Sequence, residues 1–123
     1  ADVPVHASAL GKVLLAYGTI ELGDDALGQV TSSTITDKDV LRRELDAVVQ
    51  NGWATTVDEL EIGLSGVAVP VHGGEGQVIA ALGVSGPSPR FEDRLDEIGK
   101  RLDERAQQLS ALLRRGTHKR GAA

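Results

Sequence analysis

Leu64-Ser65-Gly66-Val67-Ala68-Val69-Pro70-Val71-His72-Gly73-Gly74-Glu75-Gly76-Gln77-Val78-Ile79-Ala80-Ala81-Leu82-Gly83-Val84-Ser85 is the stretch on which the fold turns. Two runs rich in valine and alanine flank a glycine cluster, the pattern of antiparallel strands joined by a short turn. Strands are expected over 65–71 and 77–85. Pairing His72 with Gln77 aligns Val71 with Val78, Val69 with Ala80 and Val67 with Leu82 on one face, which becomes core. The other face then sets Ala68 across from Ala81, Gly66 across from Gly83 and Leu64 across from Ser85. A slip of one residue would scatter these glycines among the valines. Glycine inside a strand marks close approach by a ligand or another backbone, so this small-residue face is either the floor of a site or the seat of a tightly packed helix.

Working outward, 53–57 reads as a third strand opened by Trp53. A helix is expected over 37–50, where Val40, Leu41, Leu45, Val48 and Val49 recur at helical spacing. Thr36 and Asp39 resemble a shortened capping box at its start, and Asn51-Gly52 gives a left-handed exit. Ser8 caps a helix over 9–17 that Gly18 closes. A short acidic helix is expected over 21–27, between glycines. Downstream, Pro89 in a first turn begins a long helix ending near Arg114, with Phe91, Leu95, Ile98, Leu102, Leu109 and Leu112 on one stripe. The class is α/β, more narrowly α+β.

With 123 residues the chain holds one core, which excludes an enzyme with separate cofactor and substrate domains. A 41% hydrophobic and 25% charged composition suits a globular domain, and no apolar run nears the ~18 residues of a membrane span. Tyr17, Trp53 and Phe91 are the only aromatics, so aliphatic side chains build the core. Without cysteine, disulfides and thiol chemistry are excluded, which fits the cytoplasm. Methionine is also missing, position 1 included, and no leader pattern precedes Val3, so a piece of a longer protein is expected. Residues 1–113 carry nine basic and eighteen acidic side chains, a net −9 that repels nucleic-acid phosphate. Residues 114–123 form a basic tail, expected to fray.

Chemical motifs are few. The glycine cluster precedes a strand rather than a helix, so it is a turn and not a dinucleotide fingerprint. Gly11-Lys12 echoes a P-loop ending, but Val13 stands where Ser or Thr is required. His6, His72 and His118 show no metal-ligand spacing, so neither a metal nor a cofactor is expected. Asp58, Glu59 and Glu61 read as a solvated acidic loop. No catalytic constellation emerges. Two alternatives to a binding domain are a small hydrolase or isomerase using Glu59 with Ser85, and a structural dimerisation module whose glycine face packs on protein.

Five blocks, His6-Ala7-Ser8-Ala9-Leu10-Gly11-Lys12, Asn51-Gly52-Trp53-Ala54, Glu59-Leu60-Glu61-Ile62-Gly63, Val67-Ala68-Val69-Pro70-Val71 and Ala80-Ala81-Leu82-Gly83-Val84-Ser85-Gly86-Pro87, together resemble the C-terminal effector-binding domain of IclR-family transcription regulators. The resemblance covers residues 1–113. It implies a GAF-like domain, with a central antiparallel sheet and flanking helices, that binds a small metabolite. An N-terminal winged helix-turn-helix outside this sequence would contact DNA, and homo-oligomers, dimers or tetramers, are implied. The family domain also begins upstream of the first block, so a sheet face or edge is expected to be covered by an upstream segment or a partner chain.

Carried over from the family, the pocket residues are Ala9, Leu10, Thr56, Leu64, Gly66, Gly83 and Ser85, with Ile62 beside Leu64 as a wall. The amides of Ala9 and Leu10, at a helix start, suit a carboxylate. Many relatives place an acid at the position of Thr56, a cysteine at Gly66 and a serine at Gly83. Their loss here implies a roomier, less polar pocket and an organic acid with a larger apolar, aromatic body.

Overall fold

In the computed structural model, which describes the backbone of residues 4–122 and the side chains of residues 4–116, the hairpin stands at the centre. Strands β1 (Ala54–Val57), β2 (Leu64–His72) and β3 (Val78–Pro87) form an antiparallel sheet in the order β1-β2-β3. The hairpin register differs from the expected one by two residues. Val71 pairs with Ala80, Val69 with Leu82 and Ala68 with Gly83, while Gly66 lies across from Ser85. Half of the shift comes from the turn, where Gly73 N donates to Gln77 O at 2.7 Å and draws Gln77 out of the strand. The other half is a bulge beside Val71 and His72 that leaves Ile79 as the extra residue. A shift of two keeps side-chain parity. Beyond the bulge both expected faces survive, with Gly66 and Gly83 diagonal rather than opposite neighbours, but Val78, expected opposite Val71 in the core, pairs with His72 instead.

Helix α1 (Ala9–Ala16) begins where Ser8 Oγ accepts from Gly11 N at 2.9 Å. Helix α2 (Lys38–Asn51) leaves through Gly52 at φ +93°, as expected, but its cap is Asp37 rather than Thr36. The Asp37 carboxylate accepts from the Asp39 and Val40 amides. No helix forms over 21–27: a seven-residue segment containing Gly23 cannot sustain one without a packed face, and only Leu27 in it is buried. This loop is tied down instead by Lys38 Nζ donating to Asp24 O at 3.0 Å and by His6 Nε2 donating to Gly28 O at 2.7 Å.

The expected single C-terminal helix is broken. Helix α3 (Ser88–Phe91) passes through a 3-10 turn, Glu92–Arg94, into α4 (Leu95–Ala122), which runs past Arg114. Its buried side also differs from the expected stripe. Gly99, Ala106 and Ser110 face the protein, whereas Leu109 and Leu112 are 42% and 59% exposed. Small residues let α4 come close: a Cβ on Gly99 would sit 2.5 Å from the Trp53 ring, and Ser110 Oγ accepts from His72 N at 3.0 Å. The side chains of His118, Lys119 and Arg120 lie outside the described residues.

Two apolar clusters sandwich the sheet. Ala9, Val13 and Val48 pack with Ala54 and Ala68 on the α1 side. Val69, Val71 and Ala106 pack with Trp53, Leu82 and Leu102 on the α4 side. The valine face is therefore core, and the small-residue face receives the start of α1.

Candidate functional site

Where α1 meets the small-residue face, a cavity of about 180 Å³ opens. Seven of the eight residues expected at the site line it: Ala9 and Leu10 from the helix start, Thr56 from β1, Leu64 and Gly66 from β2, and Gly83 and Ser85 from β3. Ile62 does not, being 63% exposed at the tip of the turn between β1 and β2. Leu60 takes the wall position instead. Asp58, at φ +59°, and Gly63, at φ +89°, redirect the chain at both ends of this turn, so the alternation that would group Ile62 with Leu64 does not apply. The available signal was Leu60 itself, an apolar residue set between Glu59 and Glu61.

The glycines serve both purposes that sequence left open. A Cβ on Gly83 would lie 3.0 Å from Leu10 Cδ2 and 3.1 Å from Val67 O, and one on Gly66 would lie 3.2 Å from Thr56 Oγ1 and 3.6 Å from Ala9 Cβ. Part of the room they leave is thus filled by α1 itself, and the cavity is what remains beside it. At its helical end, no described residue accepts a hydrogen bond from the Ala9 or Leu10 amide. Such free N–H groups carry the positive end of the helix dipole. An apolar cavity of about 150 Å³ holds benzene, so this open-sided space has room for one ring.

Behind the helix start lies a buried ionic cluster. Lys12 is completely buried, and its ammonium donates to Glu44 Oε1, to Thr55 O at 3.0 Å and to Glu59 Oε1 at 2.7 Å. Burial pushes the Glu59 carboxyl above its ordinary range against the opposing pull of Lys12, and Glu44 adds to the rise. The Gly11-Lys12 sequence by itself carries no sign of this role for Lys12. The acidic run is likewise no solvated loop at Asp58 and Glu59. Asp58 Oδ1 accepts from Gly63 N at 2.9 Å and from Ser88 Oγ at 2.7 Å, and Ser88 Oγ accepts in turn from buried Ser65 at 2.8 Å.

Glu59 and Ser85 are not brought together as an acid–hydroxyl pair. The two Glu59 oxygens face Lys12 and Val57 N, and no hydrogen bond joins Glu59 to Ser85 among the described residues. Among those residues there is also no group of three or more potential metal ligands, and no helix long and apolar enough to cross a membrane.

The family model for the bacterial transcriptional regulator IclR C-terminal domain matches residues 1–111. The chain belongs to this family. It is 40% identical over 113 residues to the HTH-type transcriptional regulator KdgR of Dickeya chrysanthemi, covering 87% of this chain and 37% of that protein. Among solved structures, the C-terminal domain of Escherichia coli KdgR superposes with a TM-score of 0.76 at 35% identity, covering 90% of this chain and 71% of that one. A double mutant of the PobR inducer-binding domain from Acinetobacter, in complex with 3-hydroxybenzoic acid, superposes with a TM-score of 0.77 at 31% identity, covering 87% and 65%. This IclR-type chain spans less than half the length of the curated relatives it matches. The family and the α+β fold expected from the five sequence blocks both hold.

Proposed function

We propose that this chain is the effector-binding part of an IclR-type regulator and that its cavity holds a small organic acid with one compact, aromatic body. The observation that carries this reading is the cavity's two-ended chemistry. The carboxylate would accept from the Ala9 and Leu10 amides, which have no partner among the described residues. Thr56 and Ser85 would orient it, with Leu60 and Leu64 as walls and Gly66 and Gly83 keeping the floor low. A volume of about 180 Å³ suits a single ring. That a related inducer-binding domain was solved with 3-hydroxybenzoic acid supports the same class.

The role is sensing rather than catalysis, and residues 1–113 form the ligand unit. Ligand shifts the population between subunit packings in a cytoplasmic dimer or tetramer, by binding one arrangement more tightly than another. DNA is contacted by a winged helix-turn-helix outside this sequence, since residues 1–113 carry net −9 and repel phosphate.

A calorimetric screen tests the ligand class. Benzoate or a hydroxybenzoate is expected to bind about tenfold or more tighter than pyruvate or glyoxylate, a difference of roughly 1.4 kcal/mol. If pyruvate or glyoxylate binds more tightly than every aryl carboxylate, the aromatic assignment fails. If no carboxylate binds, sensing at this cavity fails.

A further inference from the structure

A lysine ammonium withdrawn from water is tolerated only when its charge and its three N–H donors are all met. Lys12 meets this condition with acceptors on three separate elements: Glu44 on α2, Thr55 on β1, and Glu59 in the turn that follows β1. Lys12 and two of its three partners adjoin residues that line the cavity, whereas Glu44 lies away from it on α2. Lys12 lies one helical turn beyond Ala9, Thr55 directly precedes Thr56, and Glu59 directly precedes Leu60.

We infer that Lys12 and Glu59 are positioning residues for the cavity: one ammonium sets the helix start, β1 and the Leu60 wall relative to each other, and so fixes the width of the opening. The turn does not need this link to fold. Thr34 Oγ1 donates to Glu59 O at 2.6 Å, Thr31 Oγ1 donates to Asp58 O at 2.5 Å, and Asp58 holds Gly63 and Ser88. What the Glu59 carboxylate adds is the connection from the turn to α1. Glu44 remains as a counter-ion when Glu59 is changed, so the two functions can be separated by mutation.

Two substitutions isolate the link. Glu59→Gln keeps an oxygen that accepts from Lys12; Glu59→Ala removes it. The first arm needs no ligand: hydrogen exchange at the Gly63 and Leu64 amides, which bond to Asp58 Oδ1 and Glu61 O, should speed up about tenfold in Glu59→Ala and stay near wild type in Glu59→Gln. Unchanged protection in Glu59→Ala, or equal acceleration in both variants, overturns the inference. The second arm rests on the proposed ligand site. Benzoate affinity measured by calorimetry should fall about tenfold in Glu59→Ala and be restored in Glu59→Gln. Wild-type affinity in Glu59→Ala overturns the inference, whereas a wild-type chain that binds no benzoate but shows the expected exchange pattern overturns the ligand assignment alone. Should Glu59→Ala not fold, Glu59→Leu keeps bulk without the acceptor and serves in its place.

Discussion

Glu59 is held in its charged form by Lys12 and pressed toward its neutral form by burial, and burial wins. The sign of the consequence follows from proton counting. With its folded pKa raised, the native chain binds more protons than the unfolded chain between the two values, so stability falls as pH rises through that window. The contribution is fully present below the ordinary glutamate value of about 4.3 and is lost as pH climbs through the raised one. Urea unfolding of wild type and Glu59→Gln from about pH 4 to pH 7 should therefore show wild type losing ground to the variant as pH increases. A flat difference, or wild type gaining, contradicts this assignment. Of the residues at the cavity, Leu64, Gly66, Gly83 and Ser85 were legible from strand alternation, which sets them on one face, whereas Ala9, Leu10 and Thr56 came from the family resemblance. Leu60 and Lys12 were legible in neither way. The first depends on the positive φ at Asp58, and the second on three acceptors that folding brings from distant parts of the chain.

At the scale of elements, the cap of α2 gives a clean test. Asp37, not Thr36, accepts from the first free amides, so Asp37→Ala should cost about 1 kcal/mol in urea denaturation while Thr36→Ala stays within about 0.5 kcal/mol. The reverse order would contradict the observed cap. The start of α1, the exit of α2 and strand parity could be read ahead of the structure because they are local: Ser8 and Gly52 act within a turn of where they stand, and alternation needs only neighbours. Register could not, since an extra turn residue and a bulge at Ile79 each shift the pairing by one and together leave the faces unchanged. The stripe on α4 was misread for a related reason. Large apolar residues suggested the packed side, but of these Leu102 reaches the sheet-side cluster while Leu109 and Leu112 turn outward, and the closest approach is made by the small residues Gly99, Ala106 and Ser110.

Across the whole molecule, the sheet divides two kinds of packing. On one face the valines of β2 pack with Ala106 and Leu102 of α4 in an apolar core; on the other, α1 presses on glycine and alanine and leaves a cavity at its N-terminal end. A ligand bound there would touch α1 and all three strands, and would share α1, β1 and the turn at Leu60 with the Lys12 cluster. The most direct measurement is a nitrogen–proton NMR titration of this chain with benzoate that follows the Ala9 and Leu10 amides. Saturable shifts at both, sharing one Kd with shifts at Thr56, Gly66, Gly83 and Ser85, are expected. Saturation that leaves the Ala9 and Leu10 amides unmoved, or no saturable shift at any of these positions, would contradict a carboxylate site at the start of α1.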